Sequence, residues 1–118
     1  PKVTEANLDA IVGRLTQAGI GVLLCGMLAP PKYGRPYQEA FKAVFPRVAA
    51  RHQTLFYPFF LDGVAGERAL NLPDGLHPTR AGVAVIVERI LPSVRQLLAR
   101  DGAAPRPGDG RGGGGTAR

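Results

Sequence analysis

Residues Ile20-Gly21-Val22-Leu23-Leu24-Cys25-Gly26-Met27 form an unbroken apolar run. It is far shorter than the roughly 20 residues that span a bilayer. A strand without a polar face has nothing to offer water on either side, so it belongs in a parallel sheet covered by helices on both faces. The flanking patterns agree with that demand. Leu8, Ile11, Val12, Leu15 and Ala18 recur with helical spacing, Thr4 is placed to cap them and Gly19 to close them. The helical period returns from about Tyr37 to His52 through Ala40, Phe41, Val44, Phe45 and Val48, with Pro46 expected to kink or divide it. Between these lies Leu28 to Pro36, whose prolines argue for a loop.

Leu55-Phe56-Tyr57-Pro58-Phe59-Phe60 reads as a second strand, interrupted at Pro58. After the irregular stretch Leu61 to Pro78, Val83, Ile86, Val87, Ile90, Leu91, Val94, Leu97 and Leu98 mark a last helix with one wide apolar stripe and a bend at Pro92. Helix, strand, helix, strand, helix is the order of an α/β fold with parallel strands between helical layers. Two strands are few for such a sheet, and the opening helix normally follows a strand. The chain begins at Pro1 and its sole methionine is Met27. It therefore reads as a processed chain or fragment with further strands upstream.

Residues 1–100 hold the domain. From Asp101 to Arg118, seven of eighteen residues are glycine, with Pro105 and Pro107 among them; that Gly/Pro/Arg-rich tail is expected to be disordered. The net charge of +6 is spread along the chain, with twelve Lys and Arg against seven Asp and Glu in residues 1–100. No basic run interleaves with aromatics, which argues against a nucleic-acid partner. A single cysteine excludes an intrachain disulfide framework. His52, His77 and Cys25 lack a recognisable metal-ligand spacing, so no metal is expected.

Ligand sites in parallel sheets form in the loops beyond the carboxyl ends of the strands. Two loops qualify, Leu28 to Pro36 and Leu61 to Pro78. In the second, Pro73-Asp74-Gly75 is a turn by composition and sets Asp74 and His77 toward one side, just before a proline-started helix. A carboxylate on one imidazole nitrogen leaves the other free to take a proton from a nucleophile. On spacing alone, a turn-forming aspartate beside an incidental histidine explains the same residues.

The stretch Gly63-Val64-Ala65-Gly66, then Leu70-Asn71-Leu72-Pro73-Asp74-Gly75-Leu76-His77-Pro78 and Ala81-Gly82, resembles the C-terminal block of SGNH (GDSL-type) hydrolases. The likeness is to the arylesterase branch, similar to bacterial acyl-CoA thioesterase/lysophospholipase enzymes. Gly26-Met27, Ala29-Pro30-Pro31-Lys32-Tyr33-Gly34 and Tyr37 resemble the substrate-side loop of that branch, and the resemblance runs over about residues 4–99. It implies a three-layer α/β/α (flavodoxin-like) fold lacking its N-terminal strands, and hydrolysis of small acyl esters or thioesters by a Ser-His-Asp triad. His77 would be the general base and Asp74 its orienting carboxylate; Pro31, Tyr33 and Gly34 would line the acyl pocket. Such enzymes need no cofactor.

The family's Gly-Asp-Ser and Gly-x-Asn-Asp motifs do not occur here, and Ser93, inside the last helix, is the only serine. Lys32 stands where this branch has asparagine, and Arg35-Pro36 replaces the usual Pro-Arg order. Cys25 in its apolar run and Thr79 at a helix start are poor substitute nucleophiles. The chain alone is therefore expected to be inactive and to require the upstream segment. The competing class is a non-catalytic remnant or binding module that keeps the fold.

Overall fold

The computed structural model describes residues 1–103. Three helices, α1 (Lys2–Gln17), α2 (Arg35–His52) and α3 (Arg80–Ala103), alternate with two short strands, β1 (Leu23–Cys25) and β2 (Leu55–Tyr57). The strands pair in parallel with Leu23 opposite Leu55, Leu24 opposite Phe56 and Cys25 opposite Tyr57. With α2 as the crossover they make one βαβ unit. Leu24 and Phe56 turn one face of the sheet into the cluster of Val12, Val44, Phe45, Val48 and Ala49 from α1 and α2. α3 touches both strands but neither of those helices, and so lies on the other face. The expected α/β layering is present around a two-stranded sheet. No helix among the described residues is long and apolar enough to cross a membrane.

Local chemistry sets the boundaries. α1 begins at Lys2, ahead of Thr4, and no side chain caps it. Its far end is a Schellman closure around Gly19 (φ 73): the Ile20 amide donates to Leu15 and the Gly19 amide to Thr16. The prolines after β1 do not exclude helix. Pro31–Tyr33 form a 3₁₀ turn, and Pro36 sits in the first turn of α2, where its missing N–H has no intrahelical partner to lose. α2 runs unbroken through Pro46 and α3 through Pro92. β2 stops at Tyr57, before Pro58.

Gly26 makes the carboxyl ends of the strands close. Its amide donates to Tyr57 and its carbonyl accepts from Phe60, so the backbones lie near enough that a Cβ on Gly26 would collide with the Pro58 carbonyl. The wide stripe expected on α3 divides. Ile86 is buried, whereas Val83, Val87, Leu91 and Leu98 face outward. α3 also reaches Ala103, three residues past the expected domain end; the rest of the Gly/Pro/Arg-rich tail, 104–118, lies outside the described residues.

The sharp exit from α2 depends on Gln53 in the left-handed region (φ 54), which lets the Thr54 amide reach the Ala49 carbonyl. That conformation costs a side-chain-bearing residue about 1–2 kcal/mol. Gln53→Gly should therefore raise the unfolding free energy by about 0.5–1 kcal/mol, part of the relief being offset by the floppier unfolded chain. An unchanged or lowered midpoint in urea would contradict this.

Candidate active site

The loop that leaves β2 is assembled on one buried side chain and one amide. Val64 is 1% exposed and holds the first half against the body of the protein. Asn71 Nδ2 donates to the carbonyls of Val64 (2.7 Å) and Glu67 (2.8 Å), gathering the strand of loop between them. Asn71 then bridges to Pro78, the Leu72 amide donates to His77 (2.8 Å) and the Thr79 amide to Leu70 (2.9 Å). These pin the base of a short finger, Leu72 to His77. Its tip is a turn in which the Gly75 amide (φ 69) reaches back to Leu72.

Inside the finger Asp74 accepts three hydrogen bonds. Oδ1 takes the amides of Leu76 (2.9 Å) and His77 (3.1 Å), and Oδ2 lies 2.6 Å from His77 Nδ1. The imidazole contact, then the two amides, lower the Asp74 carboxyl from the ordinary 3.8 to about 2. An ionised carboxylate only accepts, so Nδ1 carries the proton and the neutral ring keeps Nε2 as a free acceptor. The His77 side chain is 72% exposed, so that nitrogen is open to an incoming group. The expected pairing is thus present, and the turn role of Asp74 coexists with it.

α3 holds the finger from behind. Thr79 Oγ1 accepts the Gly82 amide (3.1 Å), a helix N-cap, which puts Pro78 just outside the helix rather than in its first turn. A Cβ at Gly82 would strike the Leu70 carbonyl, so only glycine lets the helix start this close. Arg89 on α3 also pairs with Asp62 (2.9 Å) at the head of the loop.

Pro31, Tyr33 and Gly34 lie on the loop leaving β1, all three exposed, with Gly34 at φ 82. Tyr33 opens an aromatic ladder through Tyr37 (5.1 Å between centroids), Phe41 (6.2 Å) and Phe45 (5.3 Å). Phe45 is core, as its spacing indicates, so the exposed ring is tied to the interior through tilted, stacked and edge-on ring contacts in turn. Lys32 Nζ lies 5.3 Å from the Tyr33 centroid. Gln38 Nε2 donates to the Ala29 carbonyl (3.0 Å) and holds the loop's root. Among the described residues, no hydrogen bond joins these residues to Asp74 or His77. An open cleft of about 560 Å³ beside the finger is lined by Arg68, Asn71, Leu72, Pro73 and Gly75. Glu67 and Arg68 are both exposed and, among the described residues, make no ion pair.

A second carboxylate–imidazole contact went unread in the sequence: His52 Nε2 lies 2.7 Å from Asp9 Oδ1. Its chemistry differs. The Arg51 guanidinium holds the same oxygen at 2.9 Å and, ahead of His52, depresses the Asp9 carboxyl. Arg51 and Arg47 also bind Glu5. The whole group joins α1 to α2, and its signal was available as acids at i, i+4 on one helix and arginines at i, i+4 on the next. His52 borders a cavity of about 290 Å³ with Ile20, Thr54, Leu97 and Arg100, at the amino ends of the strands. Chemistry in a parallel sheet belongs at the other end. Ser93 is half-buried in the body of α3, and burial raises the Cys25 thiol, as expected of an inert one.

Two outcomes follow. Asn71→Ala should cost about 1–2 kcal/mol in equilibrium denaturation, because the part-buried Val64 carbonyl loses its donor. The Asp74 carboxyl carbon should titrate near 2 by NMR rather than at 3.8. A carboxyl lowered by folding contributes above its unfolded value. The finger should therefore be fully ordered above about pH 4 and loosen as pH falls toward 2.

Comparison with characterised proteins gives the same frame. Over 98 residues the chain is 38% identical to the esterase TesA of Pseudomonas aeruginosa, covering 83% of this chain and 49% of that protein. It is 31% identical over 101 residues to the thioesterase 1/protease 1/lysophospholipase L1 of Escherichia coli, covering 86% and 49%. The crystal structure of TesA superposes with a TM-score of 0.77 at 37% identity, over 82% of this chain and 54% of that one. AlinE4, an SGNH-hydrolase family esterase, superposes with a TM-score of 0.61 at 36% identity, over 83% and 52%. No family model matches the sequence. The chain spans about half the length of the relatives it matches, and it belongs to the SGNH hydrolase family.

Proposed function

We propose that this chain carries the base-and-carboxylate part of a serine esterase or thioesterase, and that residues outside it supply the serine and the oxyanion donors. The supporting observation is the 2.6 Å contact of His77 Nδ1 with Asp74, with Nε2 turned to solvent on the loop beyond β2. His77 Nε2 takes the serine proton as the hydroxyl attacks the acyl carbon. Asp74 fixes the tautomer and stabilises the imidazolium, which then protonates the leaving alcohol or thiol. Water repeats the sequence to release the acid. Pro31, Tyr33 and Gly34 form the apolar side against which the acyl group lies, with Tyr33 held in place by its ladder. The esterase and thioesterase names of the relatives support an ester or thioester as substrate.

The 118 residues alone have a base with nothing to activate. They should give no burst with p-nitrophenyl acetate and take no label from a fluorophosphonate; labelling of this polypeptide would refute the reading. In the serine-bearing protein, His77→Ala should abolish measurable turnover. Asp74→Asn should lower kcat by about 10³–10⁴, since an amide nitrogen facing Nδ1 donates and forces the proton onto Nε2. Unchanged kcat in both variants would remove the assigned roles.

A further inference from the structure

Four of the five aspartates in the chain, Asp62, Asp74, Asp101 and Asp109, are followed by glycine. That dipeptide carries a chemistry of its own. Glycine has no Cβ to shield its amide, so the nitrogen can attack the γ-carbon of the aspartate before it. The amide gives up its proton, one carboxyl oxygen leaves as water, and a five-membered succinimide closes. Water then reopens the ring. Attack at the γ-carbon restores aspartate; attack at the α-carbonyl gives isoaspartate, whose backbone runs through the γ-carbon and whose side group is the α-carboxylate. One water is lost and one regained, so the reaction consumes nothing.

At Asp74 every group this reaction needs is already engaged. Oδ1 accepts the Leu76 and His77 amides and Oδ2 meets His77 Nδ1 at 2.6 Å. Those bonds favour the ionised carboxyl, which has no oxygen ready to depart as water. The Gly75 amide is spent on the Leu72 carbonyl (2.9 Å), which keeps its proton from bases in solvent. Bulk gives no such protection. The Asp74 side chain is 43% exposed, and a Cβ on Gly75 would meet nothing within 4 Å. Asp62, in the same loop, has the same neighbour, and Arg89 holds its carboxylate at 2.9 Å.

We infer that Asp74-Gly75 is a latent modification site: Asp74 isomerises to isoaspartate when the finger opens, and the hydrogen bonds that orient His77 are what keep the native chain from ageing there. The product inserts a backbone methylene into the turn and takes the side-chain carboxylate away from Nδ1. The modification stands on the geometry of the finger alone; its consequence for turnover rests on the proposed function.

The test ages the 118-residue chain at neutral pH, native and in guanidinium chloride, and locates isoaspartate by peptide mapping and isoaspartyl methyltransferase labelling. The native carboxyl is released only by breaking charge-assisted hydrogen bonds, so Asp74 should isomerise at about a tenth of its denatured rate or less. His77→Ala frees Oδ2 and should raise the native rate at Asp74 by about tenfold while leaving that at Asp62 unchanged. Gly75→Ala puts a Cβ beside the attacking nitrogen and should suppress the product at Asp74 in the denatured chain. Equal native and denatured rates at Asp74 overturn the inference. So does a His77→Ala chain that ages no faster there, or faster at Asp62 as well, and so does product undiminished by Gly75→Ala. In the serine-bearing protein, turnover should fall in step with the isoaspartate formed at Asp74. Isomerisation as described with turnover retained supports the modification site while removing Asp74 from the catalytic reading.

Discussion

The carboxylate of Asp74 is the point on which the loop between β2 and α3 turns. One oxygen is satisfied by two amides of its own finger and the other by the imidazole, so a single ionised group both shapes the loop and sets the proton on His77. Nothing about the pair is buried. Its order comes from local closure: the Asn71–Pro78 bridge, the Thr79 cap and the absent Cβ of Gly82 fix the finger's two ends. An imidazole held this way needs no dry cavity to keep its orientation, only a stem that does not move.

The rest of the fold supplies that stem. Four fully buried valines, Val12, Val44, Val48 and Val64, draw on α1, α2 and the loop after β2, each worth about 1.5–3 kcal/mol in side-chain burial. Three of them pack the α1–α2 face of the sheet, while Val64 anchors the loop that carries Asp74 and His77. Gly26 brings the two strand ends together, so the loops leaving them start side by side. Core, rim and site are thereby linked through very few residues.

Much of this was legible in the residues. The all-apolar run around Leu24 announced a sheet with two helical layers, and Pro73-Asp74-Gly75 ahead of His77 announced the turn that makes the pair. The errors were local. Prolines at Pro31 and Pro36 read as helix breakers because their effect depends on position within a turn, and at the first turn they cost nothing. Thr4 looked like a cap because capping was judged by residue type, while the helix had already begun. The residues on α3 were read as one wide apolar stripe, and periodicity marks such a face but cannot say what covers it. Asn71 was missed for a related reason: its partners are carbonyls brought near only by the folded loop, and no spacing rule encodes them. The charged seam was the exception, since its i, i+4 pattern stood in plain view on both helices.

That seam gives α1 an unusual attachment. Apart from the inward contacts around Val12, the helix is tied to α2 by Glu5 and Asp9 reaching Arg47, Arg51 and His52 near the surface. Exposed charges are screened over about 8 Å at physiological ionic strength and over about 3 Å at 1 M. The apolar cluster beneath the sheet does not share that sensitivity. Concentrated salt thus weakens the hold of α2 on α1, and with it the exposed Asp62–Arg89 pair, more than the apolar cluster that holds the βαβ unit.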